Sequence, residues 1–280
     1  MTVVNWILNF AGLLLWINWR SLSLESARAT PPASLLSTLR RAEPRARSRW
    51  LYLISLVILL WLRSLFYWHI GSEANLTLAL DLTAVTLPFR CDHYGRMLLF
   101  SVLSFSVLLG TFYSWLLLVS VINRRVPDTE PMQRVVRLHL GWLERCPVYV
   151  RVLLPMIVSV LLWSGSSPGL VQLGIIPSPL SKAHLWEQAA VLGMTSYLSW
   201  EFLLLAILGA HVITGYVYFG SFPFMNFISL TARNLAQILD WLPLRLGKVD
   251  LSPLVGAALA LAIGEAGSRW LPKLFQRLPL

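Results

Sequence analysis

Asp250-Leu251-Ser252-Pro253, followed over 254–267 by LVGAALALAIGEAG and preceded by an amphipathic segment from Phe222 to Leu242, is the stretch that decides how this chain is read. Pro253 suits the first position of a helix, Ser252 suits the N-cap before it, and Asp250 is favourable beside a positive helix end. A helix is expected to start here. Its Gly256, Ala257, Ala258, Ala260, Ala262, Gly264 and Gly267 offer small surfaces for close helix contact. Working outward, apolar runs recur near 3–19, 50–69, 97–122, 148–164, 196–220 and 251–270. A bilayer crossing needs roughly 17–25 residues, so the fourth and sixth runs are marginal in length. The expected fold is an all-α integral membrane protein with about six transmembrane helices.

Composition agrees. Of 280 residues, 56% are hydrophobic and 13% charged, where soluble domains carry about a quarter charged. The net charge of +10 comes mostly from Arg clusters lying between apolar runs. Lipid head groups and the positive-inside rule account for them, so nucleic acid is not expected as a partner. Cys91 and Cys146 fall in connections on opposite sides of an apolar run, which argues against a disulfide between them. The segment Trp6–Trp19 is apolar, but no Lys or Arg precedes it and the small-x-small site Ala27-Arg28-Ala29 lies far past its end. It therefore reads as a retained first helix rather than a signal peptide. The Pro- and Arg-rich connection from about 21 to 49 is expected to hold only short helical pieces.

Alternating six spans places sixteen Lys and Arg residues in connections 20–49, 123–151 and 221–250, against six on the other side, with Arg63 inside a span. The positive-inside bias then puts those three connections in the cytoplasm and both termini on the periplasmic side of an inner membrane. The Arg269, Lys273, Arg277 cluster lies against that bias unless it runs along the surface.

Two cytoplasmic segments look alike. Met132, Val135, Val136, His139, Leu140 and Leu143 share a helical face opposite Arg134, Arg137, Gly141, Glu144 and Arg145. In the second, Phe224, Phe227, Ile228, Leu235, Ile238, Leu239 and Leu242 line one face, with Asn226, Arg233, Gln237 and Asp240 elsewhere. Both are expected to lie as amphipathic helices in the membrane interface. An offset of 96 residues places Pro127 on Pro223, Leu143 on Leu239 and Pro147 on Pro243, which reads as an internal duplication. The expected organisation is a helix plus Arg/Pro-rich connection over 1–49, a first unit with its preceding helix over 50–165, and a second unit over 166–280. The outer connections Leu76–Leu87 and Leu170–Leu180 are apolar but broken by Asp81, Pro88, Gly174, Pro177 and Pro179, and are expected either to dip into the interface or to pack on the helix tops.

Phe222-Pro223-Phe224-Met225-Asn226-Phe227-Ile228, Leu230-Thr231, Leu242-Pro243, Arg245, Gly247 and Asp250-Leu251-Ser252-Pro253-Leu254-Val255 resemble the YggT (YlmG) family of small bacterial and plastid membrane proteins. The likeness covers about 45 residues, and the first unit lacks the Asp-Leu-Ser-Pro signature. Where the family commonly continues Thr-Asp-Pro, this chain has Thr231-Ala232-Arg233. The resemblance implies a non-enzymatic scaffold or assembly factor, because relatives are associated with cell and organelle division, nucleoid distribution, and haem attachment in a photosynthetic cytochrome complex. Some relatives also suggest osmotic tolerance, which makes ion-linked transport the alternative.

Arg63 is the most expensive side chain, since an Arg at a span centre costs roughly 2.5–3.5 kcal/mol on translocon scales. It is expected to pair with Glu201 or Glu265 in the outer third of the bundle. The histidines His69, His93, His139, His184 and His211 are scattered, and no nucleophile elbow or phosphate-cradling glycine loop occurs. No catalytic residue, cofactor or metal is assigned. The expected partners are the lipid bilayer and a membrane protein or further copies of the chain.

Overall fold

The computed structural model describes residues 2–28, 44–73, 76–127, 130–216, 222–237, 245–246 and 249–279. In chain order these form α1 (Thr2–Arg28), α2 (Pro44–Glu73), β1 (Thr77–Asp81), β2 (Thr86–Arg90), α3 (Tyr94–Ile122), α4 (Pro131–Leu140), a 3₁₀ turn (Gly141–Arg145), α5 (Val148–Gln172), α6 (Lys182–Thr195), α7 (Ser199–Tyr216), α8 (Pro223–Ala236), β3 (Arg245–Leu246), β4 (Val249–Asp250) and α9 (Ser252–Gln276). Helix dominates, as the apolar runs require, because in hydrocarbon each backbone N–H and C=O must be satisfied within its own segment.

Helix starts follow local chemistry. Prolines stand in the first turn of α4, α8 and α9 (Pro131, Pro223, Pro253), where a missing N–H costs nothing. At α6 the Ser181 hydroxyl accepts from the His184 N–H at 3.0 Å. The start of α9 lies one residue earlier than expected: Leu251 is the cap, and Ser252 is already helical. Leu251 has φ −89° and ψ −4°, so its carbonyl accepts from the Val255 N–H at 3.0 Å and closes the first turn without a side-chain cap. Ser252 is buried at 5% exposure.

Among the described residues five helices are long and apolar enough to cross a membrane: Arg49–Gly71, Tyr94–Ile122, Val148–Gln172, Lys182–Gly215 and Ser252–Gln276. The run expected over 148–164 extends to Gln172, and its length is no longer marginal. The run expected over 196–220 instead begins at Lys182, because α6 and α7 join through turns at 196–198. Helix α1 covers the first expected span but is not among the five; Asn5, Asn9 and Asn18 interrupt its apolar run. The 20–49 connection is more helical than expected at both ends, with α1 reaching Arg28 and α2 starting at Pro44, while 29–43 lie outside the described residues.

The connection after α2 is a two-stranded sheet rather than an irregular loop. Leu78, Leu80, Leu87 and Phe89 alternate inward, as the two-residue period of strands dictates. The Leu82 N–H donates to the Val85 carbonyl at 3.0 Å, and Thr83 takes a left-handed φ of 66° with its N–H bonded to Asp81 Oδ1 at 2.8 Å. Downstream of α5, Gly174 at φ 65° stops the helix before Pro177 and Pro179.

Packing divides the chain differently from the sequence boundaries: one compact unit holds residues 1–80 and 87–109, the other 81–86 and 110–280. In the first, α1 packs on α2, and Gly12 lets Phe105 and Leu56 close on the α1 backbone. In the second, α5 packs on α6, α7 on α8 and α9, α6 on α9, and α4 and α9 on α8. Its core gathers Leu117, Val136, Leu140, Leu208, Phe227 and Ala232.

Polar side chains are buried beside the apolar core, and large apolar ones are widely exposed. Arg63, Ser64, Ser101, Ser120, Asn123 and Gln133 are buried, while Val3, Ile7, Phe10 and Leu14 form an exposed stripe on α1, and Leu51, Ile54, Ile58 and Leu62 one on α2. Soluble proteins bury such apolar side chains and expose such polar ones. An apolar exterior around polar inter-helix bonds is what a hydrocarbon solvent selects, and the chain is a membrane protein.

Candidate functional site

In the first unit, the three helices that meet are tied by one guanidinium. Arg63 on α2 is 2% exposed; its Nη1 donates to Asn9 Oδ1 at 2.7 Å and its Nη2 donates to Asn5 Oδ1. Asn5 and Asn9 share a face of α1 because they are four residues apart. Asn9 Nδ2 then donates to Ser104 Oγ of α3 at 3.0 Å. The flat guanidinium also lies over Phe100 (5.5 Å to the ring centroid) and Tyr67 (5.7 Å). Two amide oxygens and two ring faces thus supply the negative potential that a carboxylate was expected to provide.

The carboxylates named with Arg63 stand in other settings. Glu265 is exposed and pairs with Arg269 one turn along α9 at 2.6 Å. Glu201 lies in the first turn of α7, near the middle of the 182–215 helix pair rather than close to one end. Its side chain lies so near α9 that a Cβ on Gly264 would stand 1.8 Å from Glu201 Oε2, so only glycine fits there with the carboxyl in place. The preceding turns are wound tightly: Ser196, Tyr197 and Leu198 each donate to the carbonyl three residues back, as do Trp200 and Glu201. A 3₁₀ break inside a long apolar helix pair is a local irregularity of the kind found at hinges and functional positions. Trp115 Nε1 donates to the Ser199 carbonyl at 2.9 Å and Trp200 Nε1 to Ser114 Oγ at 2.6 Å, so both indoles fasten α3 to this break.

At the Ile122 end of α3 the second unit holds two polar locks. In one, Asn123 is completely buried, its Nδ2 donating to Thr231 Oγ1 at 2.7 Å while its Oδ1 accepts from Asn234 Nδ2 at 2.8 Å. In the other, Glu144 accepts from Ser120 Oγ and faces Arg137 Nε and Arg151 Nη1, each at 3.4 Å. Arg151 also donates to Ser120 Oγ at 2.7 Å, and Arg137 Nη2 to the Val126 carbonyl at 2.8 Å. These bonds set α4 and α8 against the end of α3.

Each short helix buries part of its expected apolar face and leaves part of it exposed. On α4 Gln133, Val136, His139 and Leu140 are buried, whereas Val135 is 45% exposed. On α8 the buried residues are Phe227, Thr231 and Ala232, and Phe224 is 55% exposed. Thr231 is held inward by Asn123, and Phe224, seven residues earlier on the same side, stands in the first turn of α8. The proline at the head of α4 is Pro131, not Pro127, so α4 is the shorter helix, and the offset of 96 carries its ten residues onto 227–236, the last ten of α8. The order long helix, proline-led short helix, long helix occurs twice, as α3–α4–α5 and α7–α8–α9. Of the quoted signature, Pro223 heads α8 and is exposed, Asp250 pairs across β3–β4 with Arg245, Leu251 caps α9, and Ser252 and Pro253 are buried. Ile238, Leu239, Asp240, Leu242, Pro243, Gly247 and Lys248 lie outside the described residues.

Asn5, Asn9, Ser104, Ser120 and Asn123 were not singled out by sequence, and Thr231 only within the family resemblance. Two asparagines at i and i+4 in an apolar helix were the readable signal, since they too require buried partners. Cys91 and Cys146 are both free thiols. Among the described residues no three His, Cys, Asp or Glu side chains gather in a metal-binding group. No protein-family model, curated protein or solved structure matches the chain.

Proposed function

We propose that the chain is a non-enzymatic, YggT-like scaffold or assembly factor of a membrane complex, with six spans, both termini periplasmic, and α4 and α8 lying in the cytoplasmic interface of the inner membrane. The observation that carries this reading is how the polar side chains are spent. Arg63, Asn123, Glu144 and Arg151 all bond from one element to another, while α1 and α2 each expose a stripe of large apolar side chains. Rigid internal ties plus large outward apolar faces suit a protein that presents helices to neighbours in a bilayer. Affinity purification of the full-length chain in mild detergent is expected to yield a stoichiometric membrane-protein partner or a homo-oligomer. A monodisperse monomer with nothing co-purifying, in several detergents that preserve its helicity, would defeat the reading.

One observation favours ion-linked transport as the second reading: Glu201 sits beside a 3₁₀ break near the middle of a membrane-length helix pair. Interrupted helices with intramembrane carboxylates are common in transporter sites. Ion or proton flux in proteoliposomes that disappears in Glu201→Gln, with folding intact, would make it the better account.

A further inference from the structure

We propose that the end of the second unit built from the close of α3, α4, the 3₁₀ turn, the start of α5 and α8 is a recognition surface for anionic phospholipid head groups. This rests on the chain being a membrane protein, not on the scaffold reading. Charge is the first argument. Over residues 123–151 and 222–237 seven arginines face only Glu130 and Glu144 among the described residues. Glu144 is already engaged by Arg137, Arg151 and Ser120. Arg124, Arg125, Arg134, Arg145 and Arg233 are exposed.

The polar locks bring these five together. Arg124 and Arg125 directly follow Asn123, whose side chain bonds Thr231 and Asn234, the residues that flank Arg233 on α8. Arg134 lies one turn before Arg137, which is tied to the Val126 carbonyl just past Arg125. Arg145 follows Glu144, which is held between Arg137 and Arg151. Four arginines within 22 residues of chain and a fifth on α8 are therefore carried by elements tied together at one end of α3.

Aromatic side chains fix the depth. Trp142, Tyr149, Phe222 and Phe224 are 70%, 68%, 65% and 55% exposed on these same elements, and such rings favour the head-group layer. Guanidinium forks match phosphate oxygens bidentately, and a cluster with this excess of arginine over carboxylate among the described residues prefers, at that depth, lipids of net negative charge to zwitterions.

The test uses the full-length chain, purified in mild detergent, stripped of lipid and offered equal amounts of phosphatidylglycerol and phosphatidylethanolamine with matched acyl chains. Retained lipid is counted by mass spectrometry. Phosphatidylglycerol is expected in roughly fivefold or greater excess, the factor that about one basic residue supplies at a membrane surface, and the excess should shrink as salt rises. R124Q/R125Q/R233Q should bring retention near parity, R124K/R125K/R233K should keep most of the preference, and Arg277→Gln, at the far end of α9, should leave it unchanged. Parity in the unaltered chain overturns the proposal. So does a preference insensitive to salt, one lost equally on Arg277→Gln, or one abolished by inorganic phosphate at matched ionic strength, which would mark a site for the free anion.

Discussion

Replacing Arg63 by Met tests the reasoning about the buried cation most sharply. The substitution keeps the aliphatic stem but removes the fork, stranding the Asn5 and Asn9 amide oxygens between helices. Each stranded acceptor costs about 1–3 kcal/mol, and the lost contacts over Tyr67 and Phe100 add about 1 kcal/mol apiece. Against this, removing an Arg from a span returns about 2.5–3.5 kcal/mol. The balance is a net destabilisation of about 1–5 kcal/mol, carried by the orphaned amides rather than by the missing charge. The same logic makes R63M with N5L and N9L recover most of the stability, because replacing all partners by apolar groups removes the unsatisfied atoms. Arg63→Lys should also destabilise, since an ammonium cannot serve two amides in one plane while stacking on two rings. Reversible denaturation in bicelles with titrated SDS, followed by helicity and by tryptophan emission, reads all three. If R63M matches the unaltered chain, or if the triple variant is no better than R63M, the assignment of Asn5 and Asn9 as the counter-dipoles of Arg63 is refuted.

Asn123→Leu strands the Asn234 amide, while the Thr231 hydroxyl keeps its bond to the Phe227 carbonyl, and should lower the unfolding midpoint by an amount equivalent to about 1–3 kcal/mol; proteolysis after α8 should rise with it, and unchanged values would mean the lock carries no strength. Gly71→Val would place a Cβ 2.4 Å from the Cys91 Cβ, so it should disrupt the seating of β2 on α2 and expose the Cys91 thiol to maleimide, whereas full protection would contradict the close approach. Burial, and then the neighbouring Asp92 carboxylate, push the Cys91 thiol above its ordinary range. The folded chain therefore holds this proton more tightly than the unfolded chain, so the group's contribution to stability is intact below the ordinary thiol range and is lost as pH rises through the raised value. Peptide-mapped alkylation by iodoacetamide should label half-buried Cys146 first and Cys91 only at more alkaline pH; equal rates at neutral pH would oppose this.

Much of the helical layout was legible because bilayer length and proline position are local properties. The runs near 50–69, 97–122 and 251–270 fall within α2, α3 and α9, and the prolines at 223 and 253 stand where helices begin. The break at 196–198 was not legible, since the 3₁₀ winding there involves ordinary Ser, Tyr and Leu residues, and it moved Glu201 from a span end to near the middle. The inward turn of Thr231 on α8 was not legible either, since hydrophobicity does not select a Thr for burial and its partner, the buried Asn123, lies 108 residues away.

By itself the sequence determined that this is a helical membrane protein, roughly where its helices run, and that Arg63 must have buried partners. Those conclusions follow from transfer energies and backbone satisfaction, which depend on composition and order alone. Only the tertiary structure decided who the partners are. Asn5 and Asn9 stand 58 and 54 residues from Arg63, and Asn123 stands 108 and 111 residues from Thr231 and Asn234. Net charge singles out carboxylates in a sequence, but a buried cation is stabilised by any well-aimed negative potential, and amide dipoles or ring faces acquire that aim only when the helices pack.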